Sequence, residues 1–349
     1  MTIEQALQWA TKKLKTARLH SSALDAEVLL SFVLKKSREY LFTYPEKKLT
    51  NLQPRPRSAK RGGLKTYKLI TNRRARHEPI AYITGHKEFF GLNFLVNKNT
   101  LIPRPETEML VEEALKQIGQ STSQQFNHLT IVDIGTGSGA IAIAVAKNCP
   151  LACPATAVVK GGLRGIKFYA TDYSPLALKL ARQNARRLLP PLSKGAEGIH
   201  FLRGDLLSPI LKSKILKPVL SLSKDLKPVL PVHRSASVGG SQVEGSSILL
   251  SNLPYLTTKE WQSSAPEMKK YEPRSALDGG QDGMKYLNTL FVQLKTYNLQ
   301  PQTILLEIGW RQGSKIKLLA RKYLPEYNVI IKKDLAGFDR LAILSWRRT

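Results

Sequence analysis

From His128 to the C-terminus, short β-type apolar runs alternate with helical stretches, and this rhythm limits the fold more than any other feature of the chain. The strand candidates are Leu129–Ile134, Lys167–Thr171, His200–Arg203, Ile248–Ser251, Thr303–Ile308, Val329–Lys332 and Leu341–Trp346. Helices are predicted between most of them, at Ala140–Lys147, Pro175–Leu189, Met284–Tyr297 and Gly313–Tyr323. A strand that returns through a helix lies parallel to its predecessor, so this order predicts a mostly parallel sheet with helices on both faces. Only Asp334–Arg340 separates the last two candidates, which is too short for a crossover helix and predicts an antiparallel hairpin. The expected fold class is therefore α/β with a Rossmann-like seven-stranded sheet.

The N-terminal region reads as helical. Ile3, Ala6, Leu7, Ala10 and Leu14 form one stripe, opened by Thr2 with Gln5 three residues on, which is the pattern of a capping box. A second stripe runs through Ala23, Ala26, Leu29, Leu30 and Val33 after Ser21 or Ser22, and the Pro/Arg/Gly-rich stretch from Asn51 to Gly63 reads as a loop. The expected organisation is a helical domain over 1–84, a connecting region over 85–127 with a β-hairpin, and the α/β domain over 128–349. Ser208–Ser247 breaks the rhythm. It repeats Leu-Lys-Pro-Val-Leu at 216–220 and 226–230, and is read as an inserted loop because its prolines preclude a regular helix.

Composition narrows the setting. A length of 349 residues with 42% apolar residues supports a core domain plus an appendage, and no apolar run reaches the roughly 20 residues of a membrane-spanning helix. The first residues read as a mature helix and not as an export signal, so a cytoplasmic protein with no membrane partner is expected. Cys149 and Cys153 have no neighbouring ligand-type residues, and no metal site is expected. The net charge of +28 suits a polyanionic neighbour, and Arg55–Arg76 alone holds nine basic residues and no acidic one.

The first strand runs through Asp133 into Gly135-Thr136-Gly137-Ser138-Gly139, which opens a helix. Glycines at such a turn let a ligand approach the backbone closely. The second strand ends at Asp172, where a carboxylate can accept both ribose hydroxyls, and Asp205 follows the third, where it can accept from an adenine amino group. A dinucleotide normally needs GxGxxG. Here the spacing is GxGxG, which favours S-adenosylmethionine, a cofactor without pyrophosphate.

The fourth strand ends in Asn252-Leu253-Pro254-Tyr255, at the carboxyl edge where open α/β sheets hold their ligands. Amino methyltransferases carry an Asn/Asp/Ser-Pro-Pro-Tyr/Phe sequence at this place. An amide nitrogen is a poor nucleophile because its lone pair is delocalised. The Asn252 side-chain carbonyl and the backbone carbonyl of Leu253 could each accept one N–H and aim the nitrogen at the methyl group, with Tyr255 packed on the flat face of the acceptor. Leu253 departs from the commonest residue, proline. The carbonyl survives that change and Pro254 still biases residue 253 to an extended backbone, with some loss of rigidity expected.

Several further blocks carry a resemblance: Glu78–Gly85, Lys87–Leu92, Leu101–Glu108, Tyr271–Gly280 and Asp334–Arg340. Across nearly the whole chain, apart from Pro54–Lys65 and Ser208–Ser247, the sequence resembles the release-factor glutamine methyltransferases of the HemK/PrmC family. The resemblance implies a class I methyltransferase sheet. It implies a helical N-terminal domain that recognises a peptide-chain release factor, and methylation of the glutamine in that factor's Gly-Gly-Gln tip. By the same resemblance Gly135–Gly139, Asp172 and Asp205 hold S-adenosylmethionine and Asn252–Tyr255 hold the glutamine amide. The expected partner is a release factor near ribosomal RNA, met by a monomer. The Gly279-Gly280-Gln281 of this chain is read as a coincidence with the substrate.

Two other readings fit part of the pattern. An adenine amino-group methyltransferase acting on DNA or RNA would use an equivalent acceptor motif and suit the charge, although the helical head is small for a base-reading module. A non-catalytic RNA-binding protein with a decayed core would account for Leu253 and the insertions.

Overall fold

The computed structural model describes residues 1–49, 63–120, 129–149, 166–189, 198–212 and 247–347. They form two compact units, one of residues 1–87, 96–98 and 264–273, the other of 88–95, 99–263 and 274–349.

The first unit is built on helices Ile3–Thr16, Ser22–Leu34, Arg38–Thr43, Gly63–Ala75 and Ile80–Thr84. The first begins as its sequence predicts: Thr2 Oγ1 accepts from the Gln5 N–H at 3.2 Å and Gln5 Oε1 accepts from the Thr2 N–H at 3.0 Å. Ser21 caps the second helix without a side-chain hydrogen bond, while the Ser22 hydroxyl donates to the Leu19 carbonyl. Ile3, Ala6, Ala10, Leu14, Leu29 and Leu30 are buried against Tyr67, whose hydroxyl donates to the Ala26 carbonyl at 3.0 Å. The basic segment turns partly inward here. Arg74 is buried and pairs with Asp25 at 2.6 Å and Glu267 at 3.2 Å, and Arg73 pairs with Glu78 at 2.5 Å. Arg74 is internal, where an unpaired ion would be costly, while Arg73 stays partly exposed. Residues 55–62 of the basic run, Cys153 and residues 213–246 lie outside the described residues.

In the second unit all seven predicted runs are strands: β3 Thr130–Ile134, β4 Lys167–Asp172, β5 Ile199–Arg203, β6 Ser247–Ser251, β7 Thr303–Glu307, β8 Tyr327–Lys333 and β9 Asp339–Trp346. They form one sheet in the order β5-β4-β3-β6-β7-β9-β8. β5, β4, β3, β6 and β7 run parallel, and β9 is antiparallel to both β7 and β8, as the short Asp334–Arg340 connection requires. β3, β6 and β7 are buried at every position, which accords with their apolar centres. This order and the terminal antiparallel pair make the domain a class I methyltransferase sheet. Strands β1 His86–Phe89 and β2 Leu92–Leu95 form a separate hairpin, turned by Phe90 and Gly91, both at positive φ. The helix Glu108–Gly119 was not among the predicted elements, although Leu110, Val111, Ala114 and Ile118 are buried at helical spacing. The ends of the predicted insertion are regular: Ser208–Lys212 is helical and Ser247 opens β6.

Candidate active site

The parallel register fixes where the site lies. Ile134 pairs with Ser251 and with Thr171, so Gly135 and Asn252 are the first residues past two adjacent strand ends, with Asp172 at the end of the third. The chain leaves β3 between β4 and β6, the point where the strand order reverses, and open sheets bind ligands in the crevice at such a point. The Ser251 hydroxyl donates to the Ile134 carbonyl at 2.8 Å and locks the two ends together.

Gly135, Gly137 and Gly139 all take the left-handed backbone, at φ of +73°, +55° and +82°. A Cβ at Gly139 would lie 2.8 Å from Ile143 Cδ1, whereas one at Gly137 would meet nothing within 4 Å. Glycine at 139 therefore serves packing, and Gly137 faces open space. The turn is held from two sides. Gly135 and Thr136 donate to the Thr171 carbonyl at 2.9 Å each, and Gly137 donates to Asp172 Oδ2 at 2.9 Å. Asp172 Oδ1 accepts from Ser174 N, and Ser138 is buried with its carbonyl taking a bond from Asn184 Nδ2.

Beneath the turn, Asp133 is fully buried. Its Oδ2 accepts from Thr136 Oγ1 at 2.6 Å and from Ala142 N at 3.2 Å, and its Oδ1 has no hydrogen-bond partner among the described residues. Burial pushes its carboxyl up to about 7, opposed by those two bonds and reinforced by the charge of Asp172. Burial also raises the Asp172 carboxyl, against its two backbone donors. Two desolvated carboxylates, an unfilled buried oxygen and an open glycine turn suit a ligand that carries positive charge, as S-adenosylmethionine does. Asp205 is exposed, and among the described residues its carbonyl accepts from Ser208 N at 2.9 Å.

The acceptor motif is braced by residues that the sequence reading did not single out for this role. Asn252 Nδ2 donates to Thr107 Oγ1 at 3.1 Å, and the Tyr255 hydroxyl donates to Glu307 Oε1 at 3.2 Å. Gln312 Nε2 donates to the carbonyls of Tyr255 and Gly283, both at 3.0 Å. Gly279 abuts the same backbone, since a Cβ there would lie 2.5 Å from the Pro254 oxygen. The Gly-Gly-Gln coincidence thus contains a glycine required by packing. Leu253 is buried in the apolar cluster with Ile134, Leu206 and Met284. Its Cδ2 would come within 3.3 Å of a Cβ at Gly135, so the acceptor strand end and the glycine turn pack together. Glu307 is buried, and its desolvation pushes its carboxyl up to about 6 against the Thr107 hydroxyl, the Arg340 charge and the Tyr255 hydroxyl. Burial and Glu307 together hold the Tyr255 phenol well above its usual range.

Comparison with known proteins follows the same lines. Residues 5–85 match the family model described as the PrmC N-terminal domain. The chain is 33% identical to the release factor glutamine methyltransferase of Koribacter versatilis (strain Ellin345) over 98% of both chains. It is 32% identical to that of Vibrio cholerae serotype O1 over 98% of this chain and 96% of the relative. With that of Moorella thermoacetica the identity is 33% over 100% of this chain and 99% of the relative.

Proposed function

The chain belongs to the release factor glutamine methyltransferase family, and on that premise we propose that it methylates the side-chain amide nitrogen of the glutamine in the Gly-Gly-Gln motif of a peptide-chain release factor. The observation that carries this reading is the adjacency of Gly135 and Asn252 past paired strand ends, the arrangement expected of a glycine turn that holds the cofactor beside a strand end that holds the acceptor amide. When bound, S-adenosylmethionine supplies a methyl group on a sulfonium centre. The turn from Gly135 to Gly139 would hold its amino-acid end, with Asp133 below the turn, and Asp172 its ribose. The exposed Asp205 remains the candidate for its adenine.

Asn252 Oδ1 and the Leu253 carbonyl are the two acceptors for the glutamine N–H groups. The Tyr255 carbonyl already accepts from Gln312 and the Leu256 carbonyl from Gly279, while the Leu253 carbonyl takes no hydrogen bond among the described residues. Holding both N–H bonds turns the nitrogen lone pair toward the methyl group, so the work is positioning and electrostatic stabilisation, without a strong base. The helical domain over residues 1–84 is the candidate reader of the release factor. Among the described residues no helix is long and apolar enough to cross a membrane, and a monomer acting in the cytoplasm, near ribosomal RNA, accords with such a substrate.

The test is incubation of the full chain with labelled S-adenosylmethionine and purified release factors, followed by mapping of the labelled peptide. Label is expected on the Gly-Gly-Gln glutamine. The Asn252→Ala variant should lose about 10²-fold or more in kcat, the usual cost of removing a transition-state hydrogen-bond partner, with cofactor affinity mostly kept. Wild-type turnover in that variant would remove Asn252 from the mechanism.

A further inference from the structure

Helices favour Ser, Thr, Asp or Asn at their first cap, where a short side chain reaches back to the N–H groups of the first turn. Gln312 holds that place before the helix Gly313–Tyr323 and makes no such bond. Its buried amide is used elsewhere. Nε2 donates to the carbonyls of Tyr255 and Gly283, both at 3.0 Å, and Oε1 accepts from the Gly309 N–H at 2.9 Å. All three partners are backbone groups of fixed polarity, so the amide can sit only one way round.

These bonds converge on Tyr255. Nε2 fixes the direction of its carbonyl, and Oε1 holds Gly309, the turn that its ring packs on. A Cβ at Gly309 would lie 3.3 Å from Tyr255 Cδ2 and 3.3 Å from Gln312 Oε1, so that turn stands directly against the edge of the ring. Gly283 closes the other side. A Cβ there would collide with the Tyr255 oxygen and stand 2.8 Å from Gln312 Nε2, so the amide reaches that carbonyl because residue 283 is glycine. At the start of the same turn, Glu307 Oε1 accepts from the Tyr255 hydroxyl at 3.2 Å. Tyr255 is thus held at its carbonyl, its ring edge and its hydroxyl, and Gln312 secures the first two.

We infer that Gln312 is a positioning residue for methyl transfer, which acts through Tyr255 by fixing both the carbonyl of that residue and the Gly309 turn against its ring. A buried carbonyl left without a donor is costly enough to drive its peptide toward another one, and the ring moves with it. A displaced ring no longer supports the flat face of the acceptor amide, and the nitrogen loses its line to the methyl group. A misplacement of about 1 Å in such an arrangement costs on the order of 10²-fold in rate.

This inference rests on the methyl-transfer reading, and the experiment tells the two apart. Full-length wild type, Gln312→Met, Gln312→Glu, Tyr255→Leu and the Gln312→Met/Tyr255→Leu double variant are assayed with S-adenosylmethionine and purified release factor. Cofactor binding is measured by calorimetry and Tm by thermal unfolding. A wild type that methylates no release factor defeats the methyl-transfer reading and this inference with it. Given an active wild type, Gln312→Met, similar in shape but without the three bonds, should lower kcat by roughly 10- to 100-fold. Gln312→Glu keeps an acceptor for Gly309 and loses both donors, and it should fall into the same range. Cofactor affinity should stay close to wild type in both. In the Tyr255→Leu background Gln312→Met should cost little more, because a residue that acts through the ring then has no ring to place. Should neither Gln312 variant fold, Gly309→Ala presses on the same ring and amide. It should lower kcat at unchanged cofactor affinity, an effect that disappears in the Tyr255→Leu background. Wild-type kcat in the Gln312 variants, a lowered Tm with kcat per cofactor-binding site unchanged, or losses that multiply in the double variant would overturn the inference.

Discussion

Leu253 shows what stands in place of the motif's commonest residue, proline. Proline at that position would stiffen the backbone; leucine instead buries its side chain, 4% exposed, beside Gly135 and between the two halves of the site. Asp133 illustrates the opposite case, a stability cost kept beneath the glycine turn. Its carboxyl stands at about 7 against an ordinary 3.8, so the folded state holds its proton through a pH range in which the unfolded chain has released it. The stability this group contributes is full below pH 3.8 and is lost as the pH rises to about 7, by an amount on the order of 4 kcal/mol. Asp133→Asn has no such dependence. The difference in Tm, variant minus wild type, should therefore increase from pH 5 to pH 8, as followed by thermal unfolding at both values. A constant difference would mean that Asp133 is not held with a raised pKa. The glycine turn, Asp172 and Asn252 were legible because each follows its strand within a residue or two. Thr107 and Glu307 were not, since they lie 145 and 55 positions from Asn252 and Tyr255 is 52 from its carboxylate partner; only the strand order brings them together.

Between single residues and the sheet, secondary-structure elements hold the cofactor turn in place through Asn184. It is completely buried in the helix Pro175–Leu188, where its Oδ1 accepts from Leu95 N at 2.8 Å. Its Nδ2 donates to the Leu95 carbonyl at 3.0 Å and the Ser138 carbonyl at 2.9 Å. One amide thus joins a helix, the end of β2 and the glycine turn, and a helix interior ordinarily has little use for asparagine. Asn184→Ala would leave three backbone polar groups without that partner, at about 1–3 kcal/mol for each that stays buried and unpaired. A fall in Tm of several degrees and weaker S-adenosylmethionine binding by calorimetry are the expected results. Unchanged cofactor affinity would show that the turn keeps its shape without this brace. The periodicity that located all seven strands gave no notice of such a tie, because alternation reports which face is buried and says nothing of polar contacts across elements. The helix Glu108–Gly119 carried the right spacing and still escaped, lying between a distinctive Pro-Arg-Pro-Glu-Thr-Glu block and a polar stretch that drew the reading toward a connecting region.

At the scale of the whole molecule, charge is the dominant quantity. Fifty-four basic residues face 26 acidic ones. Asp25, Glu27, Glu78, Glu113, Glu267, Asp278 and Asp334 are each committed to an ion pair, and Asp133 and Glu307 are buried. Internal pairing thus takes a larger share of the scarce acids than of the abundant bases, even though Arg73 and Arg74 are consumed in the same way, and the outer surface is left strongly positive. Such a surface attracts polyanions through counterion release, with no need for a base-reading element. A short fluorescent RNA should therefore bind in an anisotropy titration with an affinity that falls steeply, by at least about tenfold, between 50 and 200 mM salt. On the proposed function, that RNA should take no label from S-adenosylmethionine under conditions in which a release factor does. Affinity that is indifferent to salt would contradict the charge argument. Transfer of label to adenine would restore the nucleic-acid reading that the acceptor motif, taken alone, allows.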